Sequence, residues 1–404
     1  MQEVTTTSWF ERIKNAIGGV LFGVVLFLVA FPLLWWNEGR AVQVAEGLSQ
    51  GKGAVVNVDP EKVDPANDGK LIQFTGMAVT EEMLEDPVFM IRENVLKLKR
   101  EVLTYQWKEI TSKKTTKKVG GGTETVTDYR YELGWHKGII NSRNFKEPKG
   151  HENPERALYE PQTFVANNIT VGQYQLSPAL VNSISNYQPY HVPDGAERDL
   201  PTRDLRDNVY AIDGIFYDGE NIDDPLVGDT KISFDVVKPS TVSILAQQQG
   251  DQLVGYKTDA GTTIQRLSLG ALSAEQMFEQ AEQENTMMLW ILRIVGLFMM
   301  FGGLMLVVNP MVVLADVVPF FGRIVGAGVG MFAFLIALGF SFITIAVAWV
   351  AVRPVLGIAM LIIGIGSVVA FFVLSKGKGK QTIATAPPGG APQMSPGPDH
   401  DEFE

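Results

Sequence analysis

The chain has 404 residues, a net charge of −11 and no cysteine. The length suits two or three domains. The acidic balance argues against a general nucleic-acid binder, which needs a basic surface to displace counterions from phosphates. The missing thiols exclude disulfides, thiolate metal sites and a cysteine nucleophile.

The first apolar run spans Ile17 to Trp36, and about 20 residues is what a helix needs to cross the hydrocarbon core. It ends in Trp35 and Trp36, whose amphipathic rings favour the headgroup level. Asn37, Glu38 and Arg40 then enter water. A signal peptide would have a shorter apolar core and a small-residue cleavage site. The run therefore reads as an uncleaved anchor at 17–36, after a cytoplasmic segment at 1–16.

Residues 37–286 read as a mainly β extracytoplasmic domain. Strands are expected at Leu71–Val79, Val95–Ile110, Val126–Trp135, Val209–Tyr217, Lys231–Val237, Val242–Gln247 and Gln252–Tyr256. The second and third flank a Lys- and Gly-rich stretch, which predicts a long hairpin with a mobile, solvated tip at Lys113–Thr123. The polar, proline-containing stretch 186–206 is expected to be a loop.

Ser273, with Gln276 three residues later, opens a helix through a capping box. That helix leads into a second span at 287–308. The connector 309–323 is unusually apolar, an interfacial or re-entrant piece on the cytoplasmic leaflet. A third span is expected at 324–351, and Arg353–Pro354 separates it from a fourth at 354–374. The Pro/Gly-rich tail, 375–404, is too polar to pack and is expected to be disordered and cytoplasmic. The fold class is then an α+β membrane protein, with one N-terminal and three C-terminal transmembrane helices around the β domain. Arg12 and Lys14 precede the first span, and Lys376, Lys378 and Lys380 follow the last. Both termini are therefore expected in the cytoplasm, and the central domain on the other side.

Catalytic patterns are sparse. His136, His151, His191 and His400 are scattered, without metal-ligand spacing. No phosphate-binding loop or nucleophile elbow is present. The acidic run Asp218–Pro225 lacks the spacing of a calcium loop and reads as a turn. No enzyme activity, cofactor or metal is expected. The apolar spans at 17–36, 324–351 and 354–374 carry no ionisable residue at their centres, which argues against transport. Arg293 and Asp316 lie near expected interfaces, as does Arg323. Either they anchor their segments at depth, or they contact a partner or lipid headgroups. Gly322, Gly326 and Gly330 are four residues apart, so on a helix they form a groove for close packing. Its occupant is another span of the same chain or a second subunit.

Several motifs in order along the chain resemble the LUMA family, also called the transmembrane protein 43 family. They are "NEGRA" at Asn37–Ala41, "YQW" at Tyr105–Trp107, "NSRNF" at Asn141–Phe145, "GHENP" at Gly150–Pro154, "VGDTKISF" at Val227–Phe234, "GDQLV" at Gly250–Val254 and "LSAEQMF" at Leu272–Phe278. Trp290, Arg293, Asp316, Pro319, Arg323 and the Arg353–Pro354 pair extend the match. The Lys-rich hairpin tip and the tail depart from the family pattern. The resemblance implies a non-enzymatic membrane scaffold that self-associates and organises membrane protein complexes, with lipids and other membrane proteins as partners and no nucleic acid. A channel or transporter subunit is the alternative. The implied location is the endoplasmic reticulum and inner nuclear membrane in a eukaryote. In a bacterium it is the inner membrane, with a periplasmic domain.

Overall fold

The computed structural model describes residues 1–352 together with 354, 355, 358 and 362, the side chains of 319–324 apart. Met1–Ala348 form one compact unit, and a second begins at Trp349. Five α-helices are described: α1 (Trp9–Ala54), α2 (Pro178–Ser183), α3 (Arg203–Asn208), α4 (Ala274–Ala315) and α5 (Pro319–Val352). Of these, α1, α4 and α5 contain stretches long and apolar enough to cross a membrane. Four spans were expected and three are described. The fourth, 354–374, lies outside the described residues apart from 354, 355, 358 and 362, and the tail, 375–404, lies wholly outside them.

Two boundaries differ from the sequence reading. Helix α1 does not stop at Trp36 but continues for another 18 residues, to Ala54. Gly47 and Gly51 do not break it. A side chain at Gly51 would collide with Ile264 and press on Phe278 and Leu71, so the glycine lets the helix lie against the domain. Likewise α4 runs through Pro310 to Ala315, which shortens the expected connector 309–323 to the turn at 316–318 before α5. Proline is tolerated within membrane helices because neighbouring helices and local adjustment re-satisfy the freed carbonyl.

The β domain is a sandwich. One sheet is built on strands Leu71–Val79 and Ser240–Gln249, paired antiparallel from Leu71↔Gln247 to Ala78↔Ser240. The other centres on Lys97–Lys117, whose root pairs with Thr230–Val237. Alternating apolar residues from both sheets, including Ile72, Phe74, Ile244, Leu98, Phe216 and Phe234, form one buried core. The outer face of the first sheet offers Leu71 and Leu245 to a second cluster. There they meet Leu48 of α1 and Met277, Phe278 and Ala281 of α4. Three layers result: helices, first sheet, second sheet. A buried ion pair braces the core, with Arg100 Nη1 2.7 Å from Asp86 Oδ2. Asp86 Oδ1 also accepts from the Val88 and Phe89 amides.

The expected hairpin is present and longer than predicted. Lys97–Lys117 pairs with Thr123–Lys137 from Leu103↔Lys137 to Lys117↔Thr123. Its tip is not free. Residues Gln2–Thr7, in the expected cytoplasmic segment 1–16, form a third strand against it, from Gln2↔Asp128 to Thr7↔Thr123. Two of the motifs support this ribbon. The Asn153 carboxamide accepts from the Trp107 amide and donates to the Trp107 and Ile140 carbonyls. The Asn141 side chain accepts from the Arg143 amide. The 186–206 stretch holds the short strand Gln188–Tyr190 and part of α3, so it is more than a loop.

Tyr159 donates to Asp218 at 2.6 Å inside the domain. Burial pushes the Asp218 carboxyl above the ordinary carboxylate range, against the hydrogen bond from Tyr159 and with help from Asp229 and Asp204. A folded-state pKa above the unfolded one favours folding while the group is protonated, and that contribution is lost as pH rises through the folded value. Asp218→Asn keeps an acceptor for Tyr159 without the charge. It is expected to raise the melting temperature at neutral pH, with the gain vanishing below about pH 4. Thermal unfolding followed by tryptophan fluorescence across that range checks it.

Candidate functional site

Helices α1 and α4 pack antiparallel along their length, and glycines set how closely. A Cβ at Gly23 would lie 2.7 Å from the Gly303 carbonyl oxygen, and one at Gly303 would lie 2.7 Å from the Gly23 carbonyl oxygen. The backbones touch at this crossing. Further along, Leu34 fills the space a side chain at Gly296 would need. In lipid such contact is a main driving force for helix pairing. Helix α5 joins the pair through Ala337, Phe334 and Phe340. Phe340 meets Phe27 and Phe31 edge-on.

Polar latches close the pair at both ends. At the domain end, the Arg293 guanidinium grips Glu38 in two parallel bonds of 2.7 and 2.8 Å. Beside them, the buried Asn37 donates to the Leu289 carbonyl at 3.0 Å, and Asn285 donates to the Ala41 carbonyl at 2.8 Å. The Arg293 guanidinium also lies 4.9 Å from the Trp290 ring centre. Trp35, Trp36 and Trp290 are exposed around this level, as expected of an aromatic belt.

The distal latch centres on Asp316, which is fully buried. Its carboxylate accepts from Arg12 Nη2 at 2.6 Å and from Lys117 Nζ at 2.6 Å. Arg12 also donates to the Gly121 carbonyl. Trp9 donates its indole N–H to the Val313 carbonyl at 3.0 Å, and the Gly120 amide donates to the Val317 carbonyl at 3.0 Å. Gly121 has φ of +78° and lies against the Trp9 ring, where any side chain would strike the indole. Three segments far apart in the chain meet here: the start of α1, the end of α4 and the hairpin tip.

Arg12 and Glu38 are 26 residues apart on α1, a rise of about 39 Å. Arg293 and Asp316 are 23 residues apart along α4, about 35 Å. A hydrocarbon core of about 30 Å fits between the latches. Large apolar side chains, among them Leu21, Phe22, Leu28, Ile294 and Phe298, are exposed on the stretch between them.

The structure thus brings Arg293 and Asp316 to opposite ends of one helix, each bound within its own chain. Arg323 lies in the first turns of α5. Of the expected glycine groove, Gly326 faces Val312 and Gly330 faces Met305, both on α4. Gly322 lies on the same helix, α5. Sequence reading missed Glu38, Arg12 and Lys117, whose partners are more than 190 residues away. It also missed the Gly23–Gly303 crossing, although Gly19 and Gly23 already stand four apart.

A family model described as transmembrane protein 43 matches residues 104–354. The chain is 34% identical to transmembrane protein 43 of Mus musculus, over 86% of this chain and 87% of that protein. It is 33% identical to transmembrane protein 43 of Homo sapiens, over 89% of this chain and 90% of that one. The transmembrane protein 43 homolog of Drosophila melanogaster is 28% identical, over 89% of this chain and 96% of the fly protein. No solved structure matches.

Removing one partner of a buried ion pair costs about 3–5 kcal/mol. Asp316→Ala strands Arg12 and releases Lys117, so trypsin is expected to cut at Lys113–Lys118 at least about tenfold faster than in the unaltered chain. Glu275→Ala, at the exposed contact with Lys52, serves as control. An unchanged cutting rate would show that the tip is held by strand pairing alone. A second comparison tests the crossing. Gly303→Leu is expected to lower the melting temperature in detergent strongly, through overpacking of about 1–3 kcal/mol or more. Gly328→Leu, with open space around it, is expected to leave it unchanged.

Proposed function

The chain belongs to the transmembrane protein 43 family, and from that premise we propose that it is a non-enzymatic, self-associating scaffold that organises other proteins and lipids in its membrane. It is an integral, multi-pass membrane protein. The observation that carries the self-association is the three-stranded ribbon of the N-terminal strand and the hairpin. Among the described residues one edge, Gln2–Thr7, pairs only on its inner side, and the outer edge of Lys97–Lys117 beyond Trp107 carries no strand. Open edges of this kind are templates for another chain unless blocked. The latches support a holding role, since their charged groups are spent on opposite charges within the chain. A cleft of about 470 Å³ in the domain, lined by Asn167, Gln175, Ser177, Asn182 and Gln252 among apolar residues, carries no titratable side chain.

The distal end collects Arg12, Lys14, Lys117 and Lys118, and this excess of positive charge supports a cytoplasmic N-terminus. Strand pairing and Asp316 hold the hairpin tip beside the N-terminus, which supports placing the tip in the N-terminal compartment rather than with the rest of residues 37–286. A bacterial inner membrane or the endoplasmic reticulum and inner nuclear membrane remain the proposed locations. Light scattering of the detergent-solubilised full chain tests the reading. One defined oligomer of at least three copies is expected, and a monomer at every concentration would overturn it.

A further inference from the structure

The hairpin runs at the depth of the bilayer, and among the described residues no strand pairs with its outer edges there. Its tip is pinned to the distal latch. Its root belongs to the second sheet of the sandwich, two layers away from α1 and α4. It therefore runs the length of the helix pair, separated from it at the domain by the thickness of one sheet and meeting it at Asp316. From Lys117 back to Lys108 it climbs nine residues, about 31 Å. That is the height of the hydrocarbon core.

The ribbon is unfit for lipid on two counts. Short of the tip, between Lys108 and Lys114 and between Val126 and Glu132, it carries seven charged residues, and a charge costs about 2.5–3.5 kcal/mol or more at mid-bilayer. Its outer edges also present unpaired backbone groups, and open sheet edges do not occur in hydrocarbon. The helices show the opposite surface at the same depth, with Leu21, Phe22 and Leu28 exposed. One side of each chain demands lipid and the other demands water.

We propose that copies of the chain close into a ring in which the outer edge of Gln2–Thr7 in one copy pairs with the outer edge of Lys97–Lys117 in the next. The ribbons form a β-barrel around an aqueous interior, and the helix pairs form the lipid-facing wall. The partner of each edge is a second copy, for three reasons. The two open edges lie at the same level of one ribbon, since Thr5, Thr125 and Thr115 are in register. Only closure satisfies both edges at once without an end. The edges also differ in charge, with Glu3, held by Lys146 and Tyr129, on one and Lys113 and Lys114 on the other. The inference rests on the self-association proposed above and adds what the assembly encloses: a water-filled path for hydrophilic solutes.

The cysteine-free chain makes the test direct. Thr5 and Thr115 of one copy are two strand spacings apart, about 9.6 Å, beyond the reach of a disulfide. Two differently tagged full-length chains are mixed in membranes, one with Thr5→Cys and the other with a single cysteine scanned from Glu109 to Lys117. A mixed-tag disulfide is expected at one register and its alternate neighbours, and a chain carrying both cysteines should give a ladder that ends at the oligomer's size. In a second arm, Ser112→Cys should react with a charged, membrane-impermeant thiol reagent at least about tenfold faster than Leu21→Cys or Leu28→Cys. A defined oligomer with no disulfide at any register would overturn the barrel and leave the scaffold standing. A monomer by light scattering would overturn both. Equal labelling at all three positions would show that the helices face water, and no labelling at Ser112 would show that the interior is dry. Either outcome ends the proposal.

Discussion

A single buried carboxylate joins parts of the chain that no local rule would bring together. Asp316 sits where α4 ends, 304 residues from Arg12 and 199 from Lys117. Without it, the start of α1 and the hairpin tip would each present an unopposed cation to the other. With it, the N-terminal residues have a place to pair, the tip has a floor, and the turn into α5 is fixed. The glycines around it serve the same end. Gly120 and Gly121 bring tip backbone against Val317 and Trp9, and at Gly121 the indole ring would tolerate nothing bulkier.

At the other end of the helix pair the job is done by packing as much as by charge. Arg293 and Glu38 form the strongest geometry for such a pair, a planar fork on a carboxylate. It lies just below the point where α1 and α4 leave the apolar stretch and press Leu48, Met277 and Phe278 onto the first sheet. The domain is therefore not tethered by a flexible stalk. It is mounted on two helices that continue unbroken from the membrane into its core.

Much of this was legible in the sequence, for a physical reason. Long apolar runs, a Ser–x–x–Gln start and alternating aromatic strands are local signals. The spans beginning near Ile17 and Met287, the capping box at Ser273 and the strand Leu71–Val79 follow from them. What failed was long-range. The run Gln2–Thr7 is too short and polar to be recognised as a strand until its partner is known. The glycines at 47 and 51 are sites of close approach to Thr262 and Ile264, more than 200 residues away. The Lys-rich tip looks like a solvated loop because its neutralising carboxylate is 199 residues downstream. Even the Gly326 groove, read as a packing face, has a neighbour to name only when Val312 is seen opposite it.

The helix crossing at Gly23 and Gly303 has a consequence for where the protein can reside. Backbones in direct contact cannot slide past one another, and the two latches lock the register from both ends. The hydrophobic length of the pair is thus a constant of the molecule. A bilayer thicker or thinner than that length must stretch, thin or tilt the pair, at a cost of a fraction of a kcal/mol for each ångström of mismatch. Summed around an assembly, that cost favours patches of membrane whose thickness matches, and it would draw those lipids around the protein without a single specific headgroup contact.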